Sequence, residues 1–367
     1  MTMPWRVAVV LPAREGFSPG AVGAIGLQVA ALAGPRDVIV GPPLDGPSLL
    51  PDHDYRAVQP GLWPPGRRSL RYAAAIARAV AQTGAAVVEV HNRPDTAHYI
   101  ARHRLEQRVL LVLHNDPQGM RGADTSGQRR DLLRLMDVAC VSGWVRQRFL
   151  DGLPAACARQ VGLSPNGVAL PAMVPPMAQR ARRVLFAGRV VADKGADLFV
   201  AACGQLARTH PDWDFRMIGA DRFRTDAPLT PFMSDLLPKA AAAGVDMTGY
   251  RPHADVLAAM AQAAIVVVPS RWPEPFGMTA LEAMAAGAAL IASPVGGLPE
   301  VVGNGGLLCA PEPAMGLARA MAGLMDDLPA REALTARGRA QAARFSIEHA
   351  RACRDAMRDA ALHRGGA

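Results

Sequence analysis

The chain has 367 residues, of which 50% are apolar and 5% aromatic, and this length allows two domains of ordinary size. No apolar run reaches the roughly 18–20 residues that cross a bilayer, so any membrane contact should be peripheral. The formal net charge is +8, but no basic stretch alternates with aromatic residues, so nucleic acid is not an expected partner.

The positive charge is concentrated in the first half. Residues 1–170 contain 19 arginines against 13 acidic residues, an excess that suits an anionic membrane surface or an anionic acceptor. The five cysteines are scattered and never form a Cys-x-x-Cys pair, which favours a reduced chain without a zinc site. We therefore expect a cytoplasmic protein with peripheral contact at the inner face of the cytoplasmic membrane.

Short runs of Val, Ile and Leu alternate with Ala- and Arg-rich segments of helical period, a pattern typical of parallel strands covered by helices. In the first half the predicted strands are Arg6–Leu11, Asp37–Val40, Ala86–Val90, Val109–Leu113 and Val138–Val141. The predicted helices between them are Gly20–Leu32, Ser69–Thr83, Asp95–Arg104 and Gly143–Leu150.

The second half repeats the same alternation. Its predicted strands are Arg183–Ala187, Phe215–Ile218, Val245–Met247, Ile265–Val268, Ala288–Ala292 and Gly306–Leu308. Its predicted helices lie near Ala196–His210, Ser234–Ala243, Ala254–Ala263, Thr279–Ala286 and Met315–Met325.

A proline-rich stretch, Pro165–Pro176, separates the two series and is typical of a linker. We therefore predict an α/β protein of two Rossmann-like, doubly wound parallel-sheet domains, residues 1–168 and 169–346. The last predicted helix, Ile347–Ala361, has no strand after it. Residues 347–367 are accordingly a candidate to cross back onto the first domain.

Ligands of such sheets bind beyond the carboxyl ends of the strands. The first strand of the second half is followed by Gly188-Arg189 and then by Lys194-Gly195, just before a predicted helix. Glycines let the backbone approach a phosphate, a helix start adds a positive dipole, and Arg189 and Lys194 add positive charge. A solvated basic loop would explain the same residues if they stood alone.

Two glutamates, Glu274 and Glu282, flank Gly277 in the run from Pro273 to Gly287. A carboxylate accepts several hydrogen bonds at once and suits a pair of neighbouring hydroxyls. An exposed turn would explain Glu274, and the helix dipole would explain Glu282. Neither explains the intervening Phe-Gly-Met, so together with the basic loop the run favours a site for a phosphorylated sugar.

These segments resemble the nucleotide-sugar half of glycosyltransferase family 4, retaining enzymes of the GT-B fold, and in particular bacterial cell-surface glycosyltransferases. The matching segments, in the family's order, are Gly188-Arg189 to Lys194-Gly195, Met217-Ile218-Gly219, Thr248-Gly249-Tyr250, and Glu274 to Glu282 followed by Ala286-Gly287. The resemblance implies two domains facing each other across a cleft and no cofactor beyond the nucleotide-sugar substrate.

The resemblance also implies a role for each matched residue. Arg189 and Lys194 would neutralise the donor diphosphate, whose leaving oxygen gains charge in the transition state. Glu274 would bind hydroxyls of the donor sugar, and Glu282 the ribose diol. The remaining donor-binding positions would be Gly188, Gly219, Tyr250 and the backbone N–H groups of Phe276, Gly277 and Met278.

In the first half, His91 and His114 follow two successive strands. A buried, satisfied histidine is the ordinary explanation of either one. The resemblance implies that His114 lies against the donor sugar as part of the catalytic set, while His91 and Arg93 face the acceptor. The loop after the first strand is similar to the family's glycine loop, although its glycines here, Gly20 and Gly23, are not adjacent.

A basic cluster, Arg67, Arg68 and Arg71, stands beside Trp63, and Arg102, Arg104 and Arg108 are candidates for the same patch. A solvated helix start explains it in the simplest way, and an interfacial or acceptor-binding patch is the alternative. Two Asp-x-Asp triplets begin at Asp52 and Asp212. We interpret both as turns, and no metal is expected because the basic loop supplies the positive charge.

The sequence therefore predicts a retaining glycosyltransferase that moves a hexose-type sugar from a UDP- or GDP-sugar to a glycan or lipid-linked acceptor. The pathway would be the synthesis of cell-surface lipopolysaccharide or exopolysaccharide. Two alternatives stay open. One is a nucleotide-sugar epimerase of the same fold, which would release altered sugar without an acceptor. The other is a non-catalytic protein that binds sugar nucleotides.

Overall fold

The computed structural model describes residues 5–103, 106–221 and 228–363. The chain divides into two compact units: unit 1 comprises residues 1–167 and 347–367, and unit 2 comprises residues 168–346. Arg104, assigned above to a basic patch, lies outside the described residues.

Unit 1 is built on a parallel sheet with the strand order β5-β4-β1-β6-β7-β8-β9. The strands of unit 1 are β1 (Val7–Val10), β2 (Phe17–Ser18), β3 (Ala21–Val22), β4 (Val38–Gly41), β5 (Tyr55–Ala57), β6 (Val87–His91), β7 (Arg108–Leu113), β8 (Asp137–Cys140) and β9 (Val161–Leu163). Its first helices are α1 (Ala24–Leu32), α2 (Arg68–Ala81), α3 (Pro94–His103), α4 (Ser126–Leu135) and α5 (Gly143–Leu150). The central strands are buried along their whole length, as expected of strands covered on both faces.

Unit 2 contains a second parallel sheet, with the order β12-β11-β10-β13-β14-β15. Its strands are β10 (Ala181–Ala187), β11 (Asp214–Ile218), β12 (Val245–Met247), β13 (Ala263–Val268), β14 (Ala289–Ala292) and β15 (Leu307–Leu308). Its helices are α6 (Ala196–Leu206), α7 (Pro231–Ala242), α8 (His253–Gln262), α9 (Met278–Ala285), α10 (Leu298–Val302), α11 (Ala314–Asp326) and α12 (Leu328–Ala343).

The last helix, α13 (Ile347–Leu362), packs in unit 1, where it contacts α1 and the strands β6, β7 and β9. Arg354 and Arg358 of this helix are among the most buried large side chains of the protein. The chain therefore enters unit 2 after residue 167 and returns to unit 1 at residue 347.

Every strand expected from the sequence is present, with ends shifted by at most two residues. The edge strands β5 and β9 were not predicted, because each is partly exposed and lacks the apolar run of a central strand. Helix α4 was also missed, since only Arg129, Leu132 and Leu133 of its residues are buried. It begins at a capping box formed by Thr125 and Gln128.

The prediction of a helix from Gly20 is wrong at its start. Residues 17–22 form a small antiparallel hairpin, β2–β3, and α1 begins only at Ala24. Gly20 adopts a φ of +80° in the turn of this hairpin. Two-residue hairpin turns require positive φ values, which glycine adopts without steric cost.

Candidate functional site

The first part of the site joins Lys194 to Glu274. Lys194 Nζ donates a hydrogen bond to Glu274 Oε1 at 2.5 Å, and Ser270 Oγ donates to the same oxygen at 2.6 Å. Glu274 and Ser270 are buried, whereas Lys194 is half-buried. An opposite charge and a hydroxyl donor stabilise an ionised carboxylate away from water, so the pair holds a cation and an anion together at the rim of the sheet.

Two loops bring this pair together, one after β10 and one after β13. The backbone N–H groups of Arg271 and Trp272 both donate to the carbonyl oxygen of Asp193, at 2.9 and 3.0 Å. The Arg271 guanidinium donates to the carbonyl of Ala192 at 2.9 Å and forms a two-bonded ion pair with Asp197 at 2.7 and 2.9 Å. The hydrogen bond with Asp197 raises the pKa of Arg271 above its usual value. Arg271 therefore ties the loop of Lys194 to the loop of Glu274.

Two glycines allow the loops to approach so closely. A Cβ atom on Gly195, which has a φ of +70°, would lie 2.0 Å from the carbonyl oxygen of Pro269. A Cβ atom on Gly296, with a φ of +61°, would lie 2.3 Å from the carbonyl oxygen of Glu274. Neither position tolerates a side chain, so backbone packing around Lys194 and Glu274 depends on glycine.

Glu282 lies on α9 and is held by a residue that sequence reasoning missed. His253 Nε2 and Glu282 Oε1 are 2.8 Å apart, and the side chain of Glu282 is largely buried. The hydrogen bond to Glu282 raises the pKa of His253 above its ordinary value, which favours an ion pair. His253 is the first residue of α8, and no sequence motif distinguishes it from a surface histidine.

The other predicted donor-binding positions follow strands of the unit 2 sheet or lie at the start of α9. Gly188 and Gly219 follow the neighbouring strands β10 and β11, and the N–H of Gly188 donates to the carbonyl of Ile218 at 3.0 Å. Tyr250 is exposed beyond β12. Gly277, with a φ of +99°, is the N-cap residue of α9, and Met278 is its first residue.

The side chain of Phe276 belongs to the buried core of unit 2. Its ring is buried and meets the ring of Phe345 edge-on, with 5.6 Å between the centroids. Arg189 is exposed after β10. Within the described ranges no acidic side chain lies within 4.0 Å of its guanidinium, so no described carboxylate neutralises its charge.

In unit 1 the two predicted histidines contact each other. His91 Nδ1 and His114 Nε2 are 2.8 Å apart, and His91 Nε2 lies 2.6 Å from Glu89 Oε1. The other carboxylate oxygen of Glu89 accepts from Arg358 Nε at 2.6 Å. Arg358 also donates to Asp37 at 2.9 Å. A buried hydrogen-bonded chain thus runs from helix α13 through β6 to His114.

Burial lowers the pKa of both histidines, that of His114 well below its usual value. Burial alone would raise the pKa of Glu89, but the charges of Arg358 and Arg354 hold it well below its usual range. Glu89 is therefore ionised and accepts the Nε2 proton of His91. Neutral His91 then accepts from His114 Nε2, which leaves the lone pair of His114 on Nδ1.

Glu15 occupies the glycine loop of unit 1. Its Oε1 atom accepts a hydrogen bond from the N–H of Gly26 at 2.7 Å, in the first turn of α1. A Cβ atom on Gly23 would lie 2.6 Å from that oxygen, so the predicted Gly23 makes room for the carboxylate. Gly20 lies in the hairpin turn instead, and a Cβ atom there would meet no other atom within 4 Å.

Arg93 lines a cavity of about 1030 Å³ in unit 1, together with Arg68 and Arg71. Arg67 and Arg102 line a separate groove between α2 and α3. Arg108 does not belong to this patch, because it begins β7 at the amino ends of the parallel strands. The start of α2 follows the carboxyl end of β5.

In each Asp-x-Asp triplet the second aspartate forms an ordinary ion pair with arginine. Asp54 pairs with Arg56 at 3.0 Å, and Asp214 pairs with Arg183 at 2.6 Å. Over the described ranges no group of three or more His, Cys, Asp or Glu side chains is placed to hold a metal ion. No helix among the described residues combines the length and apolarity needed to cross a membrane.

Comparisons with known proteins point to one family. Residues 175–341 match the family model described as glycosyl transferases group 1. The chain is 37% identical over 163 residues to the glycogen synthase of Mycobacterium tuberculosis, a match covering 44% of this chain and 37% of that protein. It is 36% identical over 168 residues to a lipopolysaccharide core biosynthesis mannosyltransferase of Rhizobium meliloti, covering 44% of this chain and 46% of that protein. The chain spans less than half the length of these curated relatives.

The likeness among solved structures extends over almost the whole chain. The structure of HepE from Anabaena in complex with UDP and glucose has a TM-score of 0.77 and 18% identity. It covers 96% of this chain and 98% of that one. The α/β class and the two parallel sheets of the GT-B fold, expected from the sequence, are thereby confirmed.

Proposed function

We propose that this chain, whose residues 175–341 match the family model of glycosyl transferases group 1, transfers a hexose-type sugar from a nucleotide diphosphate donor to an acceptor hydroxyl. The observation that carries the proposal is the Lys194–Glu274 pair, held between tight glycine turns within the matched residues. The family match alone would allow a domain that has lost its chemistry. A cation and a carboxylate kept together at the strand ends favour a working donor site.

We assign the donor phosphates to Arg189 and Lys194. The leaving diphosphate gains negative charge as the bond to the sugar breaks, and fixed positive groups stabilise that charge most where water is excluded. Arg189 offers a fork of N–H donors without an acidic partner in the described part of the chain. Lys194 reaches the phosphate after exchanging part of its contact with Glu274, which leaves the carboxylate to accept sugar hydroxyls.

We assign the ribose diol to Glu282, which His253 holds by one oxygen. A carboxylate has about four lone-pair sites, so the contact with His253 leaves acceptors for two hydroxyls. We also propose that His114 of unit 1, whose Nδ1 keeps a lone pair, accepts a hydrogen bond from a substrate hydroxyl. We further propose that transfer retains the anomeric configuration, as the resemblance to retaining enzymes implies, and that the leaving phosphate helps to take the acceptor proton.

No metal ion is needed for this scheme, because Arg189 and Lys194 supply the positive charge that a metal would bring. We therefore expect turnover to be unaffected by a chelator such as EDTA. Loss of activity on chelation, restored by a divalent cation, would contradict the assignment of the phosphates to these two residues.

The first experiment identifies the donor. Because the Anabaena structure holds UDP and glucose, UDP-glucose should be compared with GDP-mannose and ADP-glucose by thermal shift. A ligand that binds only the folded protein raises the melting temperature by mass action, so one donor should stand out. Transfer to glycan acceptors is then followed by nuclear magnetic resonance of the anomeric proton.

The outcomes separate the candidates. A glycoside of retained configuration supports the proposal. Release of nucleotide and an altered sugar without any acceptor would favour an epimerase. Donor binding without any turnover would favour a non-catalytic protein.

We also propose that unit 1 contacts an anionic membrane surface through the loop before α2, which places the enzyme at the inner face of the cytoplasmic membrane. Leu62 and Trp63 are 93% and 72% exposed there, and Arg67 and Arg68 follow after the intervening Pro64-Pro65-Gly66. Exposed apolar side chains beside arginines suit the interface of an anionic bilayer. A lipid-linked acceptor of cell-surface polysaccharide synthesis would be met at the same surface.

Vesicle co-sedimentation tests this contact. Binding to vesicles with anionic lipid at low salt should weaken in the variant Leu62→Ser/Trp63→Ser. Met173→Ser is the matched control, since Met173 is 88% exposed in unit 2. Equal binding of all three proteins, or no binding at low salt, would remove the membrane part and leave the transfer reaction standing.

A further inference from the structure

The cavity of unit 1 lies at the carboxyl ends of four neighbouring strands. Its walls include Leu11, Pro42 and Val58, which directly follow β1, β4 and β5, and Arg93 after β6. The first turns of α2 close one side. This edge of an open α/β sheet is where ligands bind, and a volume of about 1030 Å³ accommodates a sugar together with a charged substituent.

The charge of the cavity wall is one-sided. Four arginines line it, against a single acidic residue, Asp95. Asp95 Oδ1 already accepts the N–H of Thr96 at 2.9 Å. The four arginines are Arg14, Arg68, Arg71 and Arg93. In the described part of the chain none of them has an acidic side chain within 4.0 Å. Their mutual repulsion disfavours the empty cavity and favours an anion inside it.

Two residues that line the cavity each carry a buried polar atom without the partner that burial requires. The hydroxyl oxygen of Tyr72 is buried without a hydrogen-bond partner, and the residue is 7% exposed. The Nε atom of Arg71, the preceding residue, is likewise buried and unpartnered. Buried polar groups without partners are rare in native structures. Burial raises the pKa of Tyr72 to about 12, so its hydroxyl remains a proton donor at neutral pH.

Hydrogen-bond donors therefore dominate the polar wall. We propose that this cavity binds an acceptor that carries a phosphate or carboxylate group, gripped by Arg71 and Arg93 with the hydroxyl of Tyr72. The inference rests on the transfer reaction proposed above and names the chemical class of its acceptor. Guanidinium forks match the planar oxygens of both anions.

Titration calorimetry in the presence of saturating UDP tests the inference with glucose, glucose 6-phosphate and glucuronate as probes. At least one anionic sugar should bind about tenfold or more tightly than glucose, the scale of one charge-assisted hydrogen bond. This advantage should be lost in Arg71→Ala and Arg93→Ala. It should persist in Arg78→Ala, which removes the same charge from α2 but does not line the cavity.

Preference for the phosphate or for the carboxylate probe would identify the group recognised. Equal affinity for glucose and both anionic sugars would overturn the inference. It would also be overturned if Arg78→Ala lost as much affinity for the anionic sugars as Arg71→Ala and Arg93→Ala. Thermal shifts with UDP-glucose, GDP-mannose and ADP-glucose on the same samples keep the two proposals apart. If a donor binds and the anionic sugars bind no more tightly than glucose, the proposed acceptor class is wrong and the proposed transfer reaction is unaffected. If no donor binds, the transfer reaction itself is refuted.

Discussion

Lys194 is one of two lysines in a chain whose other basic residues are arginines, and the structure places it beside Glu274. An ammonium is a compact point charge on a flexible stem, so it can turn from a carboxylate to a phosphate. Arg189 stands nearby in sequence without an acidic partner in the described ranges. The two cations therefore differ in their surroundings: Lys194 is paired with a carboxylate, whereas Arg189 has no acidic partner among the described residues.

We predict that Lys194→Ala and Arg189→Ala each lower kcat by roughly 10²-fold or more, the loss seen when one transition-state donor is removed. Steady-state kinetics with the donor found in the thermal-shift screen measure this effect. Lys239→Ala and Arg182→Ala are matched controls, because both side chains are well exposed in ordinary ion pairs. Near-normal turnover in the two site variants would reject the assignment of the phosphates.

His253 and Glu282 predict a pH-dependent contribution to stability. The folded-state pKa of His253 is raised, so its contribution is complete below the unfolded value of about 6.5 and is lost as pH rises through the folded value. The deficit in unfolding free energy of His253→Ala should be larger at pH 6 than at pH 9. It should stay within about 1 kcal/mol because the pair is partly solvated. Chemical denaturation at both pH values measures it, and a larger deficit at pH 9 would contradict the ion pair.

Helix α13 belongs to unit 1, although it follows unit 2 along the chain. Its buried arginines neutralise carboxylates of unit 1. Glu89 on β6 is an acidic residue within a fully buried strand. The strand could not bury this charge without Arg358 and Arg354, since an isolated buried carboxylate is strongly unfavourable.

Arg358→Leu should cost about 3–5 kcal/mol of unfolding free energy at pH 7, because it leaves Glu89 and Asp37 without their shared partner. The deficit should shrink at lower pH, as the abandoned carboxylates bind protons in the folded variant. Urea denaturation at pH 7 and pH 5 tests both statements. Arg351→Leu, on the same helix, should change stability little, since Arg351 is exposed and its one contact among the described residues is a hydrogen bond to a carbonyl of α1. Equal effects of the two substitutions would exclude the buried network.

For the molecule as a whole, the partition of the chain predicts a selective effect of removing residues 347–367. Unit 1 would lose the helix that packs on β6 and β7, whereas every residue of unit 2 would remain. Hydrogen exchange should therefore accelerate in β6 and β7 and stay slow in β10 and β13. Uniform loss of protection in both units, or no loss in β6, would contradict this division of stability.

Much of the architecture followed from periodicity alone. Apolar runs such as Val109–Leu113 and Ile265–Val268 are buried central strands, since strands covered on both faces require apolar residues throughout. The edge strands β5 and β9 and helix α4 were missed because these partly exposed elements carry little apolar signal. The start of α1 was wrong because turn geometry at Gly20, and not periodicity, sets it.

The sequence by itself determined the two-sheet α/β plan and the order of the residues at the strand ends, because burial and chain reversal impose local patterns. Only the tertiary structure decided that Lys194 meets Glu274, that His253 holds Glu282, and that α13 buries two arginines against Glu89. Those contacts join residues from 29 to 269 positions apart. Nothing local records such a pairing, since it arises from how the packed sheets bring distant loops and helices together.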